Sequence, residues 1–178
     1  MLFYKKIILM TFVILGVTVA TAQNNSDEKG VVINGVKWAT RNVGAPGTFV
    51  SSPENYGEFY TWKEAQKVCP AGWRLPTQIE IESLVDIGSV QTAINDVNGG
   101  VFGSGNNVIF LPAAGTGDLS TNDLSKGQGH SGLYWSGTVS TRKSAHILLF
   151  TSTMKDSDVP IGLTRDRSGI HSVRCVAE

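Results

Sequence analysis

Two cysteines, three histidines and a scatter of carboxylates are what this chain of 178 residues brings to chemistry. Cys69 and Cys175 lie far apart, and His130, His146 and His171 stand singly. Zinc, which takes about four converging nitrogen or sulfur ligands, finds no Cys-x-x-Cys or His-x-x-x-His spacing here. Calcium needs about six to eight oxygens. The oxygen-bearing side chains on offer are Asp118, Asn122 and Asp123, with Asp156 and Asp158 further on, and Asp and Asn are also ordinary turn residues. Covalent catalysis needs a nucleophile with a base beside it. The chain has no Gly-x-Ser-x-Gly elbow, phosphate-cradling glycine loop or paired-carboxylate block. The expectation is a protein without metal, cofactor or catalysis.

The N-terminus sets the compartment in which the cysteines are read. Lys5 and Lys6 precede an apolar run from Ile7 to Val19, and Ala20-Thr21-Ala22 stands before Gln23. A positive start, a short apolar core and a small-x-small site form the pattern of a secretory signal peptide. The run falls short of the roughly 20 residues that span a bilayer, and a retained anchor is the alternative. We expect a signal peptide over residues 1–22, a flexible tail over 23–30, and one domain over 31–178 without a membrane span. Its place would be the periplasm, cell surface or exterior. In that oxidising setting, two cysteines read as one disulfide, with two unpaired buried thiols as the alternative. A bridge would close about 106 residues, worth about 4–5 kcal/mol in the chain-entropy model. The 15 basic residues balance the 15 acidic ones, and losing Lys5 and Lys6 leaves a net charge of about −2, which excludes nucleic acid and anionic membrane as natural partners.

The elements that position these residues are read from local signals. Val31–Ile33 and Val36–Ala39 flank Asn34-Gly35, a hairpin turn dipeptide. Thr61 with Glu64, and Thr77 with Glu80, are capping boxes that open two short helices, the first running to about Val68 and the second ending at Gly88. Trp62, Ala65 and Cys69 share the apolar stripe of the first helix. Residues 89–97 are read as a further helical turn. Strands are expected at Val108–Leu111, Leu133–Thr138, Ala145–Phe150 and His171–Val176, and a long polar loop over Ala113–Gly132. Helices near the front and strands at both ends give an α+β class. Twenty glycines add many turns.

The stretch Thr61–Cys69, with its Trp, Ala and Cys, resembles the first helix of C-type-lectin-like domains, where that cysteine pairs with one in the last strand, here Cys175. A closer resemblance is to the Fibrobacter succinogenes major paralogous domain of exported proteins of the Bacteroidetes and their relatives. Its pieces occur in order: Val32–Trp38, Asn42-Val43, Tyr56-Gly57, Phe59–Trp62, the block Cys69-Pro70-Ala71-Gly72-Trp73-Arg74-Leu75-Pro76-Thr77, Leu111–Gly115, Tyr134-Trp135-Ser136 and Ser172–Cys175. The similarity spans residues 31–176. It implies a C-type-lectin-like domain with two short helices, a small antiparallel sheet and a long polar loop, closed by a Cys69–Cys175 disulfide. The Glu-Pro-Asn, Gln-Pro-Asp and Trp-Asn-Asp tripeptides of calcium-dependent sugar binding are missing.

These readings lead to an exported, non-catalytic ligand-binding or adhesion module whose partner is a glycan or a surface protein. Its expected ligand face is the loop Gly115–Gly132, with Asp118, Asn122, Asp123 and an exposed Tyr134. Trp38, Trp62, Trp73 and Trp135 are expected to fill the core. Arg74 and Glu80 are expected to tie to each other, and Arg165-Asp166-Arg167 to form a solvated turn. Two other readings are a structural or tip subunit of a surface assembly, and an enzyme on a fold like that of formylglycine-generating oxidases. The latter chemistry needs cysteines beyond a structural pair.

Overall fold

A computed structural model describes residues 27–118, 123–154 and 158–178. The segment read as a signal peptide lies outside these residues, as do Asn122 and Asp156. Among the described residues, no helix is long and apolar enough to cross a membrane.

Among the described residues, strands are the prevailing regular element. The hairpin β1 (Val31–Ile33) and β2 (Val36–Trp38) turns through Asn34 and Gly35, both at positive φ, as the Asn-Gly dipeptide requires. β3 (Tyr60–Thr61) runs into α1 (Trp62–Ala65), β4 (Trp73–Arg74) into α2 (Gln78–Asp86). Both helices begin in complete capping boxes: the Thr61 and Thr77 hydroxyls accept from the Glu64 and Glu80 amides, and each glutamate accepts from its threonine's amide. Glu80 also takes two hydrogen bonds from Arg74, at 2.7 and 2.8 Å. This fork holds its carboxyl down at about 2.

From residue 89 onward come β5 (Ser89–Ile94), β6 (Val97–Ser104), β7 (Asn107–Pro112), β8 (Thr116–Asp118), β9 (Asp123–Lys126), β10 (Ser131–Val139) and β11 (Ser144–Thr151). The short β12 (Thr164–Asp166), β13 (Ile170–His171) and β14 (Val176–Ala177) close the chain. The strands form four sheets, in the orders β1-β2-β14-β4, β3-β13-β8-β9, β5-β6-β7 and β10-β11-β12, with every strand pair antiparallel.

This overturns the expected α+β class and the lectin-like picture of one small sheet with a long loop. The protein is mostly β, with two short helices. Residues 89–97 are not helical: they form β5 and the start of β6, turning through Asn95 and Asp96 at φ 49° and 64°. β5 is an edge strand whose outer residues are largely exposed, so it lacks the apolar alternation that marks a half-buried strand. The polar stretch after Ala113 is a hairpin rather than a loop, β8 pairing with β9 and, on its other side, with β13. Backbone pairing with β9 and β13 places β8 there. Arg165 and Asp166 are exposed as expected but end β12, and the turn begins at Arg167, whose guanidinium stacks 3.9 Å from the centre of the Trp62 ring. Residues 27–30 are not a free tail. The buried Glu28 carboxylate accepts from the Gly30 and Thr40 amides, the Thr40 hydroxyl and Arg41 Nε, while Asp27 pairs with Arg41 Nη2 at 2.7 Å.

Two apolar clusters share the interior, one around Trp135, Trp62 and Val173, the other around Trp38, Phe102 and Phe150. Burying an indole leaves one N–H to satisfy. Trp62 Nε1 donates to the Ser136 carbonyl and Trp135 Nε1 to that of Tyr60, so the two rings stitch β3 and α1 to β10. The segment expected as one strand, His171–Val176, is divided between sheets. Between β13 and β14, Ser172, Val173, Arg174 and Cys175 are all buried. Their backbone bonds to Leu133 and Trp135 in β10 and to Ala39 and Val43 after β2, linking two parts of the fold. Cys175 ends this buried run bonded to Cys69, so the disulfide fastens the end of the α1 segment to the centre of the molecule.

Candidate functional site

A recess lies beside the segment Glu54–Phe59, and one of its walls is set by the buried run just described. Arg174 is almost fully buried without a carboxylate against it. Its guanidinium donates to Asn42 Oδ1 at 2.9 Å and to the carbonyls of Ala39 and Phe110, each at 3.0 Å. Burial lowers its pKa to about 10, which leaves it charged at neutral pH. With its oxygen held, the Asn42 amide nitrogen faces the other way and donates to the Tyr56 carbonyl at 2.8 Å and to the Tyr134 hydroxyl at 3.2 Å. Gly57 then passes close over the same segment at φ +75°. A Cβ there would lie 2.4 Å from the Val43 carbonyl oxygen, so only glycine fits. The Glu58 amide donates to that carbonyl. The wall from Tyr56 to Glu58 is therefore pinned at three consecutive residues.

Glu54, Asn55, Tyr56, Gly57, Glu58 and Phe59 line this cleft from one side. Val97, at the start of β6, and Gln128, just beyond β9, complete it. The space measures about 620 Å³, within the range of small-molecule sites. Asn95, in the β5–β6 turn, donates to Glu54 Oε1 at 2.8 Å, and that bond holds the Glu54 carboxyl below its ordinary value. Glu58 faces the Tyr60 hydroxyl, which donates to the Gly44 carbonyl. Burial, then the Glu58 charge, push the Tyr60 pKa up, so the phenol stays neutral. The cleft thus carries two carboxylates, two aromatic residues and two side-chain amides on an anchored frame. A second recess, of about 270 Å³, is lined by Pro46, Tyr60, Glu64, Lys67 and Val68; its glutamate is committed to the α1 cap.

The residues singled out in the sequence fall elsewhere. Cys69 and Cys175 are bonded to each other, with Cα atoms 6.1 Å apart. Asp118 ends β8 and Asp123 begins β9, facing each other in register across the hairpin. Tyr134, expected to be exposed, is only 2 % exposed. Its ring stacks on Phe150, and its hydroxyl donates to the Pro112 carbonyl at 2.7 Å. β10 is buried on both faces from Gly132 to Ser136, so this tyrosine lies inside, where its polar tip finds Pro112 and Asn42. Trp38, Trp62 and Trp135 are buried, and the half-buried Trp73 packs edge-on against Phe49. Of the expected face Gly115–Gly132, Gln128 reaches the cleft. Among the described residues, no three of His, Cys, Asp and Glu converge so that they could hold a metal ion.

One pair has the outline of a nucleophile with its base. Thr116 Oγ lies 2.8 Å from His171 Nδ1. The hydroxyl, however, donates to the Ile170 carbonyl at 2.9 Å, which makes Nδ1–H the donor between the two and leaves the imidazole no free acceptor toward the threonine. His171 is 4 % exposed, packed against the Trp135 ring, and burial lowers its pKa to about 4. The arrangement orients β8 against β13, with the imidazole on the buried side.

Reading the sequence missed Glu54, Tyr56, Phe59 and Val97, along with the Arg174–Asn42 support. The run Glu-Asn-Tyr-Gly-Glu-Phe, acids alternating with aromatics around a glycine, is the signal that marks the first three.

A sequence model described as the Fibrobacter succinogenes major domain matches residues 20–177. No curated protein and no solved structure matches the chain.

Proposed function

The chain belongs to the Fibrobacter succinogenes major domain family, and from that premise we propose that it is an exported, non-catalytic module that binds a ligand in the cleft beside Glu54–Phe59. The observation that carries this reading is the pinned wall: Asn42, held by Arg174, fixes the Tyr56 backbone, so the lining residues are presented on a frame that is ordered before any ligand arrives. Preorganisation of that kind lowers the entropy cost of binding. The non-catalytic part draws support from the Thr116–His171 pair, whose hydroxyl donates to the Ile170 carbonyl and whose imidazole is buried. Export draws its support from the N-terminal sequence, Lys5-Lys6 followed by the apolar run to Val19 and the Ala20-Thr21-Ala22 site.

The test is an array of immobilised glycans and peptides probed with the purified chain and with its Tyr56→Ala variant. Ligands retained by the first and lost by the second support the cleft. Ligands held equally by both place binding elsewhere and overturn it.

A second reading, a structural subunit of a surface assembly, is favoured by β5. This edge strand exposes Val90 at 65 % and Ile94 at 37 %. Unpaired edges of this kind accept a further strand. Co-purification of a stoichiometric partner from envelope fractions would favour it; recovery of the lone chain would count against it.

A further inference from the structure

We propose that the group recognised by the cleft is an organic cation: a quaternary ammonium or protonated amine on a small apolar body. This rests on the reading of the cleft as the binding site, and it is the composition of the lining that carries it. Among the described residues, the lining includes two glutamates, Glu54 and Glu58, and no lysine, arginine or histidine. A neutral ligand would leave both carboxylates without a counter-charge, and an anion would meet like charge on entry. Tyr56 and Phe59 stand in the same wall, one on each side of Gly57. Aromatic residues beside carboxylates are the surroundings that stabilise a weakly hydrated cation, through the negative faces of the rings and the field of the acids together.

The geometry leaves both carboxylates facing the cleft and holds Glu54 in place. Asn95 donates to Glu54 without neutralising it, since an amide brings no charge. Glu58 is exposed and faces a tyrosine hydroxyl already donating to a carbonyl. Neither glutamate has an ion-pair partner among the described residues. Their charge is therefore available to a ligand, unlike that of Glu80 or Glu28, each of which holds an arginine. Val97 and the Phe59 side supply apolar surface for the body that carries the charge, and Gln128 supplies an amide at the third side.

Choline and its uncharged carbon isostere, 3,3-dimethylbutanol, separate charge from shape. In an amide NMR titration of the purified chain, choline should bind at millimolar concentration, shifting Tyr56, Gly57, Glu58, Phe59 and Val97, and about tenfold more tightly than the isostere. The double variant Glu54→Gln with Glu58→Gln, near-isosteric and checked by its melting curve, should bring the two probes within about twofold of each other. Equal binding of both probes by the unaltered chain, or no shift at the cleft with choline, overturns the cation assignment. A neutral ligand from the array that is lost with Tyr56→Ala would overturn it too, while leaving the cleft as the binding site.

Discussion

The Arg174 guanidinium donates to the side-chain oxygen of Asn42 across 132 residues of sequence, and no carboxylate stands between them. Two neutral backbone carbonyls complete the set. A buried charge held by dipoles alone is costly to place and costly to disturb. Here it orients an asparagine that in turn fixes the wall of the cleft.

Removing that charge should therefore loosen the fold and the site together. Arg174→Met leaves Asn42 Oδ1 and the Ala39 and Phe110 carbonyls unpaired, and should cost about 3 kcal/mol. Asn42→Ala should cost a similar amount, because it strands Arg174 Nε and the Tyr56 carbonyl. The two residues share one network, so the double variant should lose less than the sum by about 1 kcal/mol or more. Urea midpoints of the four proteins measure this; strict additivity would mean the residues act separately.

The Cys69–Cys175 bridge joins residues 106 apart. In the chain-entropy model, a loop of that length gives up to about 4–5 kcal/mol on closure. Free-thiol labelling of the native oxidised protein should find neither cysteine, and reduction should lower the melting temperature steeply. Labelling of both in the native state would remove the bridge from the account.

His171 should be silent through the physiological range. Its folded pKa, about 4, lies below the ordinary 6.5 because burial disfavours the imidazolium and Arg165 adds like charge. A lowered folded pKa means that the contribution to stability is complete above about 6.5 and is lost as the pH falls from there toward 4. The imidazole proton resonance followed from pH 8 to 4 should not move until the bottom of that range. A midpoint near 6.5 would show an exposed ring.

What the sequence revealed was local. Capping boxes at Thr61 and Thr77 are satisfied within four residues of chain, so they could be read before any tertiary structure was known, and both are present. The Asn34-Gly35 turn is of the same kind. The β5–β6 hairpin was hidden because Asn95-Asp96 is a weaker turn dipeptide and β5 keeps most of its side chains in solvent. That missing hairpin, with the one after Ala113, is why the class was read as α+β rather than mostly β. The cleft was illegible for a different reason. It is assembled from Glu54–Phe59, Val97 and Gln128, and its support comes from Asn42 and Arg174. Those residues meet only when four distant segments have folded. Tyr134 shows the opposite error: a tyrosine in a polar neighbourhood of sequence turned out to satisfy its hydroxyl inside, on Asn42 and Pro112.

The central claim is that the cleft binds a ligand and that its frame stands without it. Paired binding and melting curves for the unaltered chain and the variant Tyr56→Ala with Phe59→Ala test it most directly, using whichever array ligand binds best. Tyr56 is held through its backbone carbonyl, which alanine keeps, and Phe59 is only half-buried, so the fold should survive. The account predicts a loss of affinity of about tenfold or more, with melting curves that nearly superimpose. Undiminished affinity in a folded variant would contradict it.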